Sequence, residues 1–414
     1  VTATSASLAS RRSAPAWVML AALCGAFALS QAFRTVAAIL APSLQSEFAL
    51  SAQQLGVFAG AFHFSFGALQ FFMGMGIDVY GVRRTVLCAF PMAVAGAAVS
   101  VLSTSFPVLV LGQVLIGMGC APAFLVCTVF IARHFPAERF APVSGLVLGL
   151  GGVGMLITGT PLAWLVHEWS WRAGFIALAV CSVFAWLLIA WKVHEPARAI
   201  HVARPSMLGA LRSYGALFRL PHTLGILALA SVTYASFISL RGLWLGPLLI
   251  ERHGFSLVES GNIALIMSVM GMFGSPLFGR LDPGAATRRR WIVGGTLACV
   301  AVFFVMAFNP GSWFDVAGML VVGLLSGFIV LQYADTKAAY PADMTGRAMA
   351  LFTMAMFLGV AVMQWFTGAV ASLAHAHGVD AFAAVLGTIA ALLAAGAAGF
   401  AWLPKPAQAP VPQR

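Results

Sequence analysis

The sequence predicts an all-α polytopic membrane protein: twelve transmembrane helices in two six-helix bundles related by a pseudo-two-fold axis. Three observations lead there. Hydrophobic residues make up 61% of the 414 positions and charged residues only 8%, with a mean hydropathy of +0.95, a composition whose solvent is lipid. Apolar runs long enough to cross about 30 Å of hydrocarbon as helices of about 20 residues recur along the whole chain. The two halves also resemble each other at a nearly constant offset.

Residues 1–14 form a basic tail with Arg11 and Arg12. The apolar run that follows has full spanning length and no convincing cleavage site, so it reads as the first helix and not as a signal peptide. Spans are expected at 15–41, 51–76, 84–104, 107–132, 140–165 and 171–191, giving an N-terminal bundle over 15–191. Residues 192–220 form a basic linker with Lys192, Arg198, Arg204, Arg212 and Arg219, whose PSMLGALRSYGALF stretch is an expected interfacial amphipathic helix. The C-terminal bundle, 221–402, is expected to hold spans at 221–249, 256–279, 290–309, 313–334, 345–372 and 379–402. Pro122, Pro161 and Pro276 fall inside spans, where neighbouring helices re-satisfy the freed backbone groups. The proline-rich end, 403–414, is an expected extended tail.

Charge sets the orientation. With both termini in the cytoplasm, all of the 23 Lys and Arg residues fall in cytoplasmic segments except Arg172 and Arg252 outside and Arg34 and Arg241 within the membrane. That matches the positive-inside rule, and a bacterial cytoplasmic (inner) membrane is the expected location. The net charge of +11 is thereby explained by topology, with no nucleic-acid partner. All six cysteines sit in apolar spans as packing residues, without a disulfide framework.

The repeat is visible in pairs of residues. Leu50-Ser51 matches Phe255-Ser256 and Gly56 matches Gly261 at an offset of 205, Asp78 matches Asp282 at 204, and Arg34 matches Arg241 at 207. Six spans separate equivalent points, so the copies share one orientation and are related by an axis along the membrane normal. The loop after the second span, GMGIDVYGVRRT, carries Gly74, Asp78, Gly81, Arg83 and Arg84, and GRLDPGAATRRR after the eighth carries Gly279, Asp282 and Arg288. In these elements the chain resembles transporters of the major facilitator superfamily over essentially its whole length. The resemblance implies alternating access between two bundles, with these loops as a cytoplasmic latch. FRTVAAILAPSLQSEFALS and LRGLWLGPLL further resemble the first and seventh helices of organophosphate antiporters and related organic-anion transporters, which implies a substrate-binding role for Arg34 and Arg241. The chain departs from that branch in having no lysine in the second span and no histidine in the fifth.

A guanidinium at bilayer depth costs roughly 2.5–3.5 kcal/mol on insertion scales, so it normally faces a polar cavity. All 12 carboxylates fall in loops or near span ends, which leaves a substrate anion as the natural partner of Arg34 and Arg241, gripped by forked donors. Helical spacing puts Gln31 one turn before Arg34, and Tyr234 and Trp244 on faces compatible with Arg241. Gln364 adds an uncharged polar group within a span, and His63, near the middle of the second, is a candidate for proton coupling. No metal-ligand set, nucleotide loop or nucleophile–base constellation emerges, so neither an enzyme nor a cofactor is expected. The expectation is a monomeric secondary transporter of a small organic anion, a carboxylate, with a proton or counter-anion as possible coupling partner. Efflux of amphipathic compounds and a non-transporting receptor or sensor are the competing readings.

Overall fold

The computed structural model describes residues 2–194 and 214–404. Arg198, Arg204 and Arg212 of the linker, the tail from residue 405, and the side chain of Asp78 lie outside the described residues. Among the described residues, twelve helices are long and apolar enough to cross a membrane. They are α1 Ala16–Thr35, α2 Ala52–Ile77, α3 Val79–Val101, α4 Phe106–His134, α5 Val143–Glu168, α6 Trp171–Lys192, α7 Thr223–Arg252, α8 Leu257–Arg280, α9 Ala285–Ala307, α10 Ser312–Ala339, α11 Met344–Ala376 and α12 Ala381–Trp402.

Local chemistry explains the boundaries. Ser51 and Ser256 begin α2 and α8 with matching capping boxes: each hydroxyl accepts from the backbone three residues on, and Gln54 or Glu259 closes the reciprocal bond. Gly81, just inside the start of α3, kinks the chain at φ 86°, ψ 170°, and Gly284 turns it just before α9 at φ 80°, ψ 169°. Only glycine takes this conformation readily, so the repeat has kept its turn residue in both halves. Two spans therefore start earlier than hydropathy suggests, α3 at Val79 and α9 at Ala285. In α9 the run Arg288–Arg290 occupies the first turns, because long basic side chains snorkel out of a helix that has already begun. Of the expected linker helix the described part begins at Tyr214: Tyr214 and Gly215 are helical, and a short 3-10 turn, Leu217–Arg219, follows.

Inside each half, α3 packs on α4 and α6, α2 on α4, and α1 on α5; correspondingly α9 packs on α12 and α10, and α8 on α10. The halves meet along α2/α11, α5/α8 and α1/α7. These seams close on the face opposite Ala16 and Trp402. There a Cβ on Gly246 would strike the Ala38 carbonyl, and one on Gly56 the Gln364 carbonyl. On the same face the Gln53 N–H donates to Ser372 Oγ (2.9 Å), and the Thr160 hydroxyl donates to Asn262 Oδ1 (2.6 Å). Toward the terminal face, a Cβ on Gly145, Gly149, Gly279 or Gly346 meets nothing within 4 Å. The contacts between the bundles are tightest on the face opposite the termini.

Each bundle is pinned on its closed face by an ion pair, and the sign is reversed between the halves. Glu47 accepts from Trp171 Nε1 (2.6 Å) and pairs with Arg172 (2.6 Å), which also donates to the Val101 and Ser103 carbonyls at the end of α3. The Arg172 guanidinium holds the Glu47 carboxyl below the usual carboxylate range. At the equivalent place Arg252 pairs with Asp380 (2.7 Å) and Asp315 (3.4 Å) and donates to the Met306 carbonyl ending α9.

Candidate functional site

Arg34 lies in the last turn of α1, and the chain runs on through Val36, at a helical φ −62°, ψ −33°, into a further helix, Ala37–Phe48. Arg241 lies in a π-helical stretch of α7, Leu240–Trp244. Gly242 brings the two helices together: a Cβ there would sit 3.3 Å from the Arg34 carbonyl oxygen and 3.7 Å from Thr35 Cα. The arginines are therefore at one depth. They point to symmetry-related places, Arg34 toward α2 and α11, Arg241 toward α8 and α5, and these two places differ in chemistry.

Arg241 is wholly buried and already engaged. Its Nε donates to the Ala264 carbonyl (3.0 Å) and to Ser268 Oγ (2.9 Å) on α8, and its Nη2 to the Met155 (2.9 Å) and Thr158 (3.4 Å) carbonyls on α5. Those α5 carbonyls are available because the helix breaks at Gly159, whose φ −93°, ψ −126° end the ladder ahead of Pro161. The Thr35 and Thr158 hydroxyls share a hydrogen bond of 2.7 Å beside it. Arg241 is a strut across the closed seam.

Arg34 has a different shell. Nη1 donates to the Tyr234 hydroxyl (2.8 Å), and the guanidinium carbon lies 4.9 Å from the Phe66 ring centroid and 4.6 Å from that of Phe357. Each ring face contributes about 0.5–2 kcal/mol of cation–π attraction. None of these groups carries negative charge, and Nε has no hydrogen-bond partner. His63, which is 205 residues before Ser268, faces Arg34 and Gln364 from α2. Its Nδ1 contacts the Ala59 carbonyl at 3.1 Å, and its Nε2 is unpartnered. Gln31 Oε1 and both side-chain polar atoms of Gln364 are unpartnered as well. Tyr333 on α10 lies within electrostatic reach of Arg34 and Tyr234.

The structure thus gathers Arg34, Tyr234, His63 and Gln364, with Gln31 a turn away, and separates two other expected residues from them. Arg241 is held by protein acceptors. Trp244 is packed inside the C-terminal bundle, its Nε1 donating to Thr367 Oγ1 (3.0 Å) and its ring edge-on to Phe382. Sequence reasoning missed Phe66, Phe357 and Tyr333. Phe66 was findable, since it lies one turn from His63 on the same face.

On the terminal face Arg83 donates to the Ala190 carbonyl ending α6 (2.9 Å), while Arg84 is exposed. Arg288 grips Asp282 through Nε (2.9 Å) and Nη2 (2.7 Å), and this pairing holds the Asp282 carboxyl below its ordinary range. Arg289 pairs with Asp335 of α10 (3.1 Å). These three contacts each stay within one bundle. Gly74 lies within α2, half-buried, with Leu125 nearby.

Two bundles of six spans meeting along three seams are the arrangement of a multi-pass membrane transporter. The chain belongs to the Major Facilitator Superfamily, whose family model matches residues 22–363. A hexuronate transporter of Bacillus subtilis (strain 168) is 22% identical over 246 residues, a match spanning 58% of this chain and 58% of that protein. An uncharacterized MFS-type transporter of the same bacterium, YceJ, is 22% identical over 353 residues, 84% of this chain and 88% of the other. Among solved structures, a D-xylose-proton symporter superposes with a TM-score of 0.74 at 15% identity, covering 94% of this chain and 98% of that one. A bacterial homologue of the human lysosomal transporter Spinster, solved inward-facing and unoccupied, gives 0.69 at 16% identity, covering 94% and 95%.

Proposed function

We propose that this transporter carries a small organic anion, a carboxylate, by secondary alternating access, and that Arg34 receives the carboxylate. One observation carries the reading: Arg34 is buried at mid-membrane with a phenol and two aromatic faces for company, no carboxylate paired with it among the described residues, and donor capacity to spare. A fixed uncompensated cation is stabilised by an anion that arrives with the substrate. The hexuronate specificity of one relative agrees in charge.

In this reading the terminal face is cytoplasmic, the membrane is the bacterial inner membrane, the protein acts as a monomer, and the conformation is open to the cytoplasm. Arg241 strengthens the outer seam now and joins the substrate when α5 and α8 part, since that separation removes its Met155 and Thr158 partners. His63, facing Arg34, is the proposed proton-coupling group. Uptake or counterflow of carboxylates in proteoliposomes tests the reading. Arg34→Gln should abolish it and Arg34→Lys should impair it severely, because an ammonium lacks the forked donor geometry. Undiminished carboxylate transport by both variants, or transport confined to neutral or cationic amphipaths, would overturn it in favour of efflux.

A further inference from the structure

The unpartnered atoms around Arg34 say more about the substrate than its charge. Three of them are acceptors: Gln31 Oε1, Gln364 Oε1 and His63 Nε2, the last because Nδ1–H donating to the Ala59 carbonyl leaves Nε2 with a lone pair in the neutral ring. All three side chains are more than nine-tenths buried, where an unsatisfied polar atom is costly. A carboxylate only accepts hydrogen bonds, so it satisfies Arg34 and leaves these acceptors empty. Donors must come from elsewhere on the substrate. An ammonium group would bring positive charge beside Arg34, which leaves hydroxyl groups, each a donor and an acceptor, the latter suiting the unpartnered Gln364 Nε2.

The charge count is limited in the same way. Arg241 is turned away from this group toward α8 and α5, where Nε and Nη2 are held by protein acceptors and Nη1 has no partner, and Tyr234, Gln31 and Gln364 are neutral. One guanidinium compensates one carboxylate; a second negative charge would lie uncompensated in a medium of low polarity. Building on the anion reading of Arg34, we infer that the substrate is a hydroxylated monocarboxylate: one negative charge, with hydroxyl groups that meet Gln31, His63 and Gln364.

A competition panel on the wild-type protein tests this without any variant. Counterflow would be measured in proteoliposomes against propionate, lactate, gluconate, succinate and glycerol phosphate. Gluconate and lactate should compete at concentrations about tenfold or more below propionate, the value of one or more hydrogen bonds, and the two multiply charged probes should compete poorly. Gln364→Leu and Gln31→Leu should draw the ratio of gluconate to propionate toward one. If propionate or succinate competes as well as gluconate while Arg34→Gln still abolishes exchange, the hydroxy-acid inference fails and the anion reading stands. If no anion competes at all, both fall.

Discussion

At the scale of single residues, two arginines that look equivalent in the sequence have separate fates. Arg241 carries four hydrogen bonds to protein acceptors; Arg34 carries one, to Tyr234. Removing them should therefore have opposite effects on the ligand-free protein. Arg241→Gln strips donors from buried carbonyls on α5 and should lower the melting temperature in detergent, at about 1–3 kcal/mol per group left unsatisfied. Arg34→Gln removes a buried, uncompensated charge and should leave melting unchanged or raised. Tyr234→Phe should weaken carboxylate binding by about tenfold, the value of one hydrogen bond to a charged group. His63→Gln should flatten the pH dependence of transport while the protein still binds substrate; a pH profile matching wild type would remove His63 from the coupling role. The sequence revealed the arginines because charge inside apolar runs is rare. It could not reveal which was the more fully engaged, because most partners of Arg241 are backbone carbonyls, and carbonyls have no residue signature.

At the scale of elements, helix interruptions position the site. α5 breaks at Gly159, and α7 becomes π-helical at Leu240–Trp244, both around the level of the two arginines. Wider or broken helical turns expose backbone groups where side chains alone would not suffice. Spans were legible from hydropathy and the Ser51–Ser256 match from the repeat; the π-helical turn was not, since it follows from packing between helices. The seam at Gly246 makes a clear prediction. Gly246→Leu should wedge α7 from Ala38 and shift the population toward opening on the closed face, measured as faster thiol labelling of a cysteine introduced at Thr160. Labelling at the wild-type rate would show that the seam tolerates the bulk. The sign-reversed clamps differ in burial: the side chains of Arg252 and Asp315 are 5% and 0% exposed, against 33% and 39% for Arg172 and Glu47. Arg252→Gln should accordingly cost about 3–5 kcal/mol, as a broken buried pair does, and more than Arg172→Gln, read from melting in detergent.

At the scale of the whole molecule, duplication supplied two copies of one site, and divergence assigned them different work. His63 and Ser268 hold equivalent places: one leaves an open polar edge facing Arg34, the other closes a bond to Arg241. In the proposed function one copy serves as the strut and the other receives the substrate. The most direct test is calorimetric titration of gluconate into purified wild type and Arg34→Gln, with melting measured alongside to confirm that both are folded. The account predicts saturable binding to wild type, and binding weaker by roughly a hundredfold in the variant, the magnitude expected when one side of a buried charge pair is truncated. Equal affinity in two folded proteins would contradict it.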